Sequence, residues 1–288
     1  PGAAVGAPAE VTWRGGGKLG GEYFYKLQNE VITVDTDEDI EDQLFAERLQ
    51  VSSTVRLYGR VALKAQARGL PVAVSSPAGA AAQRLRRLLE ERGIIVDGAA
   101  IASHRPVSAS DYPDVRKEGS APSTLSEGVE IARLVPPPLI VDATFLMKQS
   151  QNLHAELLLR RLGLIEGAGS VEDGLAIVGQ TLAAAGAPRN AWDFSDGSGM
   201  SIYNRVTPRM VANFLRWTSQ QTWGVAFRET FPIGGMDGTL RRRFTGTALQ
   251  GRVYAKTGTL SGVNALAGFM TTASGKTLIF SAYTNDRP

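Results

Sequence analysis

The sequence predicts an α+β chain. Helices with clear start and stop signals fill the first part of its second half, three short strand segments follow in succession at its end, and strand-like alternation appears near its beginning. Hydrophobic residues make up 43% and charged residues 20% of the 288 positions, the balance of a chain that buries a core rather than one that stays disordered. That length suffices for one large domain or two ordinary ones.

Residues 1–20 are rich in Gly and Ala and read as a tail. From 21 to 62 apolar and polar residues alternate, as in Tyr23-Phe24-Tyr25-Lys26-Leu27, Val31-Ile32-Thr33-Val34 and the stretch from Val51 to Val61. The acidic run from Asp35 to Asp42 between them reads as a solvated loop rather than a cation site. A helix follows, with Ser76 as N-cap, Pro77 at its first position, Leu85, Leu88 and Leu89 on one apolar stripe, and Gly93 as a left-handed stop. Ile94-Ile95-Val96 then reads as a buried strand. Residues 21–135 are thus expected to form a small β-rich α+β domain plus a linker, the linker being the Pro-, Ser- and Gly-containing stretch 106–138.

The region 136–288 has a different character. Leu139 to Gln149 and Leu153 to Leu162 carry helical periodicity, interrupted at Ser150-Gln151-Asn152. Ser170 and Asp173 resemble a capping box that opens a helix closed by Gly186 and Pro188. Thr207-Pro208 opens another, with Met210, Val211, Phe214, Leu215 and Trp217 towards the core. Arg252–Ala255, Val263–Thr272 and Lys276–Tyr283 read as consecutive strands, the last two joined by a tight turn at Thr272-Ala273-Ser274-Gly275.

Composition excludes several functions. The formal net charge is only +3, and no Lys/Arg block accompanies it, so nucleic acid is not an expected partner. There is no cysteine, which excludes a disulfide framework and thiolate metal sites. His104 and His154 are too few and too far apart for a metal centre, so neither metal nor cofactor is expected. No apolar run reaches the roughly 18 residues of a membrane span, and the beginning lacks the pattern of a signal peptide.

Three polar elements could carry chemistry. Ser150-Gln151-Asn152 places a hydroxyl and an amide at an otherwise apolar helix junction, where they serve either as caps or as a proton relay with a carbonyl-binding amide. Lys256-Thr257-Gly258-Thr259 stands at the end of a strand leading out of Val253-Tyr254-Ala255: a fixed positive charge, hydroxyls able to hold a carboxylate, and a glycine that admits a close substrate backbone. Taken alone it is equally a strand-end lysine followed by a turn. Asp196-Gly197-Ser198-Gly199-Met200-Ser201, continuing through Asn204 to Pro208, reads as a structural loop near the site, because its serine does not sit on a strand-to-helix elbow.

Ser150-Gln151-Asn152 precedes Lys256-Thr257-Gly258 in the order of the β-lactamase and penicillin-binding-protein signature. Together with Lys148 to Arg160, Asp196 to Pro208, Met236-Asp237-Gly238-Thr239-Leu240 and Ala255 to Leu260, these blocks resemble the D-alanyl-D-alanine carboxypeptidase/endopeptidase family, the class C low-molecular-mass penicillin-binding proteins. The resemblance is strongest over 136–283 and weaker back to about residue 28, where Asn29 to Leu63 and Ala78 to Gly98 look like that family's inserted domain. It implies a transpeptidase-like domain of antiparallel sheet and helices, of which 136–288 would be the C-terminal part. It also implies acyl-enzyme hydrolysis of peptidoglycan stem peptides ending in D-Ala-D-Ala, inhibition by β-lactams, and an extracytoplasmic location, with peripheral membrane association left open. By the same resemblance Ser150 would relay a proton, Asn152 would bind the substrate amide, and Lys256 with Thr257 would hold the terminal carboxylate. Gly258 would admit the substrate backbone, and the Thr259 N–H would form half of an oxyanion hole.

One departure is plain. No lysine in the chain follows a serine at a spacing of three: Lys18 has Gly15 there, Lys148 has Phe145 and Lys256 has Val253. The nucleophile is therefore expected upstream of residue 1, with truncation expected at both ends. The alternatives are a silent homologue that binds cell-wall peptide or a partner, or a β-lactamase or esterase of the same superfamily.

Overall fold

The computed structural model describes residues 1–13, 25–35, 43–48, 52, 54–104, 106, 108–116 and 132–286. The chain divides into two compact units, Pro1–Pro106 and Val107–Pro288; the sequence reading set its own boundary at 135/136. Tyr23 and Phe24, most of the acidic run at 36–42, and residues 117–131 of the expected linker lie outside the described residues.

The first unit is built on strands β1 (Lys26–Val34), β2 (Leu44–Glu47) and β3 (Thr54–Ala62), in the order β1-β3-β2. β1 runs parallel to β3 and β2 antiparallel to it. Alternation gives the sheet one apolar face, and Val31, Val55, Leu57 and Val61 bury there together with Tyr25 and Ala9. Residues 6–9, expected within a tail, instead pair with β1 through Gly6 N–H to Thr33 O and Ala9 N–H to Val31 O.

Helix α1 (Pro77–Glu90) starts as its sequence dictates: the Ser76 hydroxyl accepts the Gly79 N–H, Pro77 occupies the first turn, and Gly93 takes φ +78° beyond the end. Its burial does not follow the expectation. No residue of α1 is buried, Leu85 is 59% exposed, and Ile94-Ile95-Val96 forms no strand, with Ile95 84% exposed. An apolar triplet becomes a buried strand only where a sheet edge takes its N–H and C=O groups, and no described strand pairs with these residues.

In the second unit, α2 (Leu139–Gln149) and α3 (Asn152–Gly163) meet at the 150–151 break. Helix α4 (Val171–Ala184) begins with the Ser170/Asp173 capping box. A short antiparallel pair, β4 (Trp192–Asp193) and β5 (Arg205–Val206), brackets the 194–204 loop. Helices α5 (Pro208–Ser219, capped by Thr207) and α6 (Gly224–Glu229) lead to an antiparallel meander of β6 (Val253–Leu260), β7 (Val263–Thr271) and β8 (Thr277–Thr284).

Strand alternation gives the meander two apolar faces. Phe269, Tyr254, Ala267 and Ile279 point to one, where they meet Leu215 of α5, Phe231 and Met147 of α2. Val253, Ala255, Leu266, Met270 and Phe280 point to the other, against Leu240, Phe244 and Leu249. Each large apolar side chain buried in these layers contributes about 2 kcal/mol. Lys256 shares the parity of Tyr254 and so lies on the face that α2 covers. Trp217 and Trp223 belong to an edge-to-face aromatic row that ends on Phe231 and Phe269, which is packing rather than a binding platform.

Candidate active site

Two of the three polar elements meet. The Lys256 ammonium donates to Ser150 Oγ at 2.7 Å and to its neighbour's carbonyl, Thr257 O, also at 2.7 Å. Ser150 is the C-cap of α2 in the left-handed region (φ 56°, ψ 53°), an uncommon conformation for a residue with a Cβ. The turn that this conformation creates lets the backbone N–H groups of both Ser150 and Gln151 reach Leu146 O. The capping work at the junction falls to Gln151, whose side-chain oxygen accepts the Leu153 N–H at 3.0 Å. The hydroxyl of Ser150 is thereby left for Lys256. Asn152 opens α3 and is exposed, and its side chain makes no hydrogen bond among the described residues. Burial pushes the Lys256 amine below its ordinary value, because the charged form loses water on the α2-covered face.

Lys256, Thr257, Gly258 and Thr259 do not form the strand end and turn that the sequence suggested. They lie inside β6, which continues to Leu260 in unbroken register with β7. The outer edge of β6 is partly covered by the 231–234 segment, with Ala255 N–H to Pro232 O at 3.0 Å and Gly234 N–H to Val253 O at 2.9 Å. Alternation then directs the N–H groups of Thr257 and Thr259 to the same edge, beyond the last of those bonds. Thr257 Oγ1 donates to Thr239 Oγ1 at 2.9 Å, and Gly258 and Thr259 are exposed. The edge thus presents a cation, hydroxyls and outward N–H groups over a few ångströms of strand, a set suited to an anionic, extended peptide end.

Several contributors escaped the sequence reading. Lys148, two residues before Ser150, is ion-paired to Asp237 and donates to Phe231 O at 3.1 Å. Asp237 in turn accepts the Ile233 N–H at 2.8 Å and opens the 3-10 turn Gly238–Leu240 that carries Thr239. The available signals were the blocks Lys148 to Arg160 and Met236 to Leu240 themselves, since ion pairs between distant segments leave no local pattern. The third polar element is structural: Asp196 accepts the N–H groups of Gly199 and Ser201 and the Asn204 amide, while Glu156 of α3 accepts those of Gly197 and Ser198. His154 pairs with Asp142 at 2.8 Å. No cluster of metal-ligating side chains exists among the described residues.

The profile of the D-Ala-D-Ala carboxypeptidase 3 (S13) family matches residues 18–288. The chain belongs to this family. It is 32% identical, over 98% of its length, to a D-alanyl-D-alanine carboxypeptidase of Actinomadura sp., and 30% identical over 75% to the D-alanyl-D-alanine carboxypeptidase DacB of Haemophilus influenzae. It covers 49% and 42% of those two relatives, so it spans about half the length of the curated proteins it matches. The crystal structure of penicillin binding protein 4 (dacB) from Haemophilus influenzae superposes on 91% of the chain and 54% of that protein, with a TM-score of 0.69 at 28% identity. The same protein complexed with a β-lactam gives 0.68. The α+β architecture is therefore that of penicillin binding protein 4.

Proposed function

We propose that the protein is a serine-type D-alanyl-D-alanine carboxypeptidase/endopeptidase that acts on peptidoglycan stem peptides through an acyl-enzyme. The observation that carries this reading is the Lys256–Ser150 hydrogen bond beside the open edge of β6. In the proposed reaction a serine of a Ser-x-x-Lys pair gives its proton to the lysine of that pair, which passes it on to Ser150, and attacks the carbonyl between the two D-Ala residues. The C–N bond then breaks, the leaving amine takes its proton through the Ser150 hydroxyl, and water cleaves the resulting ester. Lys256 keeps that hydroxyl oriented and, with Thr257, attracts the terminal carboxylate. The Thr259 N–H faces the developing oxyanion, where one such donor contributes on the order of 3 kcal/mol. Asn152, exposed at the start of α3, is the candidate for the substrate amide.

The nucleophile pair is not among the 288 residues, so this reading requires it from sequence outside them. The uncovered apolar side chains of α2 and α3, with Leu139, Phe145, Leu153 and Leu157 all exposed, support further chain packing there. The function implies an extracytoplasmic location and β-lactams as covalent inhibitors. No helix among the described residues is long and apolar enough to cross a membrane.

A second reading is a homologue that binds cell-wall peptide without turnover. Release of D-alanine from a synthetic peptide ending in D-Ala-D-Ala by the full-length protein separates the two. Turnover supports the peptidase; binding without release supports the silent homologue.

A further inference from the structure

We propose that Lys148 and Asp237 form a positioning pair that seats the end of α2 on the outer edge of β6, and so holds Ser150 at Lys256 and Thr239 at Thr257. The reaction it serves rests on the function proposed above; the seating itself is independent of it.

Ser150 lies past the last residue of α2 in a left-handed conformation, so helix geometry alone does not aim its hydroxyl. What aims it is where the end of the helix is fixed. Lys148 fixes that end from two directions, through the Asp237 carboxylate and Phe231 O, with its side chain only 18% exposed. The segment it grips is itself attached to β6 by the Pro232–Ala255 and Gly234–Val253 backbone bonds.

Asp237 does the converse job. Its second oxygen takes the Ile233 N–H, which closes the 233–237 turn, and the chain then enters Gly238 at φ +55°. A Cβ at Gly238 would stand 2.7 Å from Lys148 O, so the turn and the helix end touch backbone to backbone. Two residues on, Leu240 is fully buried against Val253 and Ala255 of β6, and Thr239 between them meets the Thr257 hydroxyl. The end of α2 and β6 are thus joined twice, directly at Ser150–Lys256 and indirectly through Lys148, Asp237, Thr239 and Thr257. The two routes close a loop around the open edge.

A pair that merely stabilises the fold and a pair that positions make different predictions at Lys256. Deleting the Asp237 charge acts through space to favour the neutral amine and lowers the Lys256 titration midpoint. Releasing the end of α2 lets water reach the amine and raises it. The signs are opposite.

The test is a titration of the Lys256 Nζ resonance by NMR in the protein, assigned through its loss in Lys256→Arg. The expected result is a depressed midpoint in the native protein that rises towards the ordinary lysine value of about 10.4 in Asp237→Asn and in Lys148→Met, and returns to its native position in Lys148→Arg, which can still donate to the carboxylate. In the full-length protein the same two variants should slow penicillin acylation at least roughly tenfold, less than the roughly 10²- to 10⁴-fold effect of removing a proton-transfer group outright, with unchanged reversible binding. A native midpoint already at the ordinary value, or an unchanged or lowered midpoint in the folded variants, overturns the proposal. Should Asp237→Asn fail to fold, Asp237→Ser decides, because it deletes the same charge; Lys148→Met removes a cation and raises the midpoint on either account. The titration needs no substrate, so it can succeed where the peptidase reading fails, and the reverse.

Discussion

Lys256 and Ser150 are 106 residues apart in sequence, and their Nζ and Oγ atoms are 2.7 Å apart. The contact joins the one left-handed residue at the end of α2 to the middle of β6, on the sheet face where Met147 and Tyr254 also pack. A buried amine that donates to a hydroxyl and to a carbonyl fixes that hydroxyl as an acceptor, and leaves its own proton free to be passed on. The consequences below follow from this geometry and from the pairs around it.

Removing either partner should stop the chemistry and spare the fold. Ser150→Ala and Lys256→Ala are expected to lower the rate of penicillin acylation in the full-length protein by about 10² to 10⁴, the usual range for a positioned proton-transfer group. Rates read by stopped flow, with circular dichroism as the control for folding, check this.

Ser150→Gly should separate stability from activity. A side chain in the left-handed region costs about 1 kcal/mol that glycine does not incur. The variant is expected to unfold at higher denaturant than the native protein while losing acylation as Ser150→Ala does. A lower urea midpoint for Ser150→Gly would show that the hydroxyl's bond to Lys256 outweighs the backbone strain.

Burial holds the Lys256 amine below its ordinary value, and this fixes the sign of two pH effects. Between the folded and unfolded values the unfolded chain binds more protons, so this group's contribution to stability rises with pH across that window. Acylation should run the other way, falling on the alkaline side at a midpoint below about 10.4 as the ammonium is lost. In Lys256→Arg the alkaline fall should move to higher pH, because a guanidinium stays charged. A pH profile of the acylation rate for both proteins tests this.

Asp173 should govern acid stability in the second unit. Burial pushes its carboxyl up, but the two-pronged Arg116 contact at 2.9 Å and the hydrogen bonds from Ala168 and Ser170 outweigh that and hold it below the ordinary value. Its stabilisation is therefore present above about pH 4 and is lost as pH falls through the lower folded value. Asp173→Ala, which takes away the carboxylate partner of Arg116 and leaves it its bonds to Ser110 O and Asp111 O, is expected to lower stability at neutral pH. Urea unfolding at neutral and acid pH measures both effects.

Much of this was legible in the sequence where the signal is local. The break between α2 and α3, the Ser170/Asp173 box, the Thr207-Pro208 start and the three terminal strands all follow from periodicity, caps and turns. What was misread depended on distant partners. Lys256-Thr257-Gly258-Thr259 has no apolar alternation and contains a glycine, so β6 seemed to stop at Ala255; it continues because β7 pairs with it to the end. Gln151 rather than Ser150 or Asn152 caps α3, a choice set by the left-handed turn before it. Lys148 and Asp237 each lie in a recognisable block, but they are 89 residues apart, and no window of sequence shows that they pair.

The most direct measurement is covalent labelling of the full-length protein with a fluorescent penicillin, alongside Ser150→Ala and Lys256→Ala. A labelled native protein, with its adduct on the serine of a Ser-x-x-Lys pair and labelling slowed by about 100-fold or more in both variants, is the predicted result. A native protein that takes no label, or variants labelled as fast as the native one, would contradict a shared acylation cleft at Ser150 and Lys256.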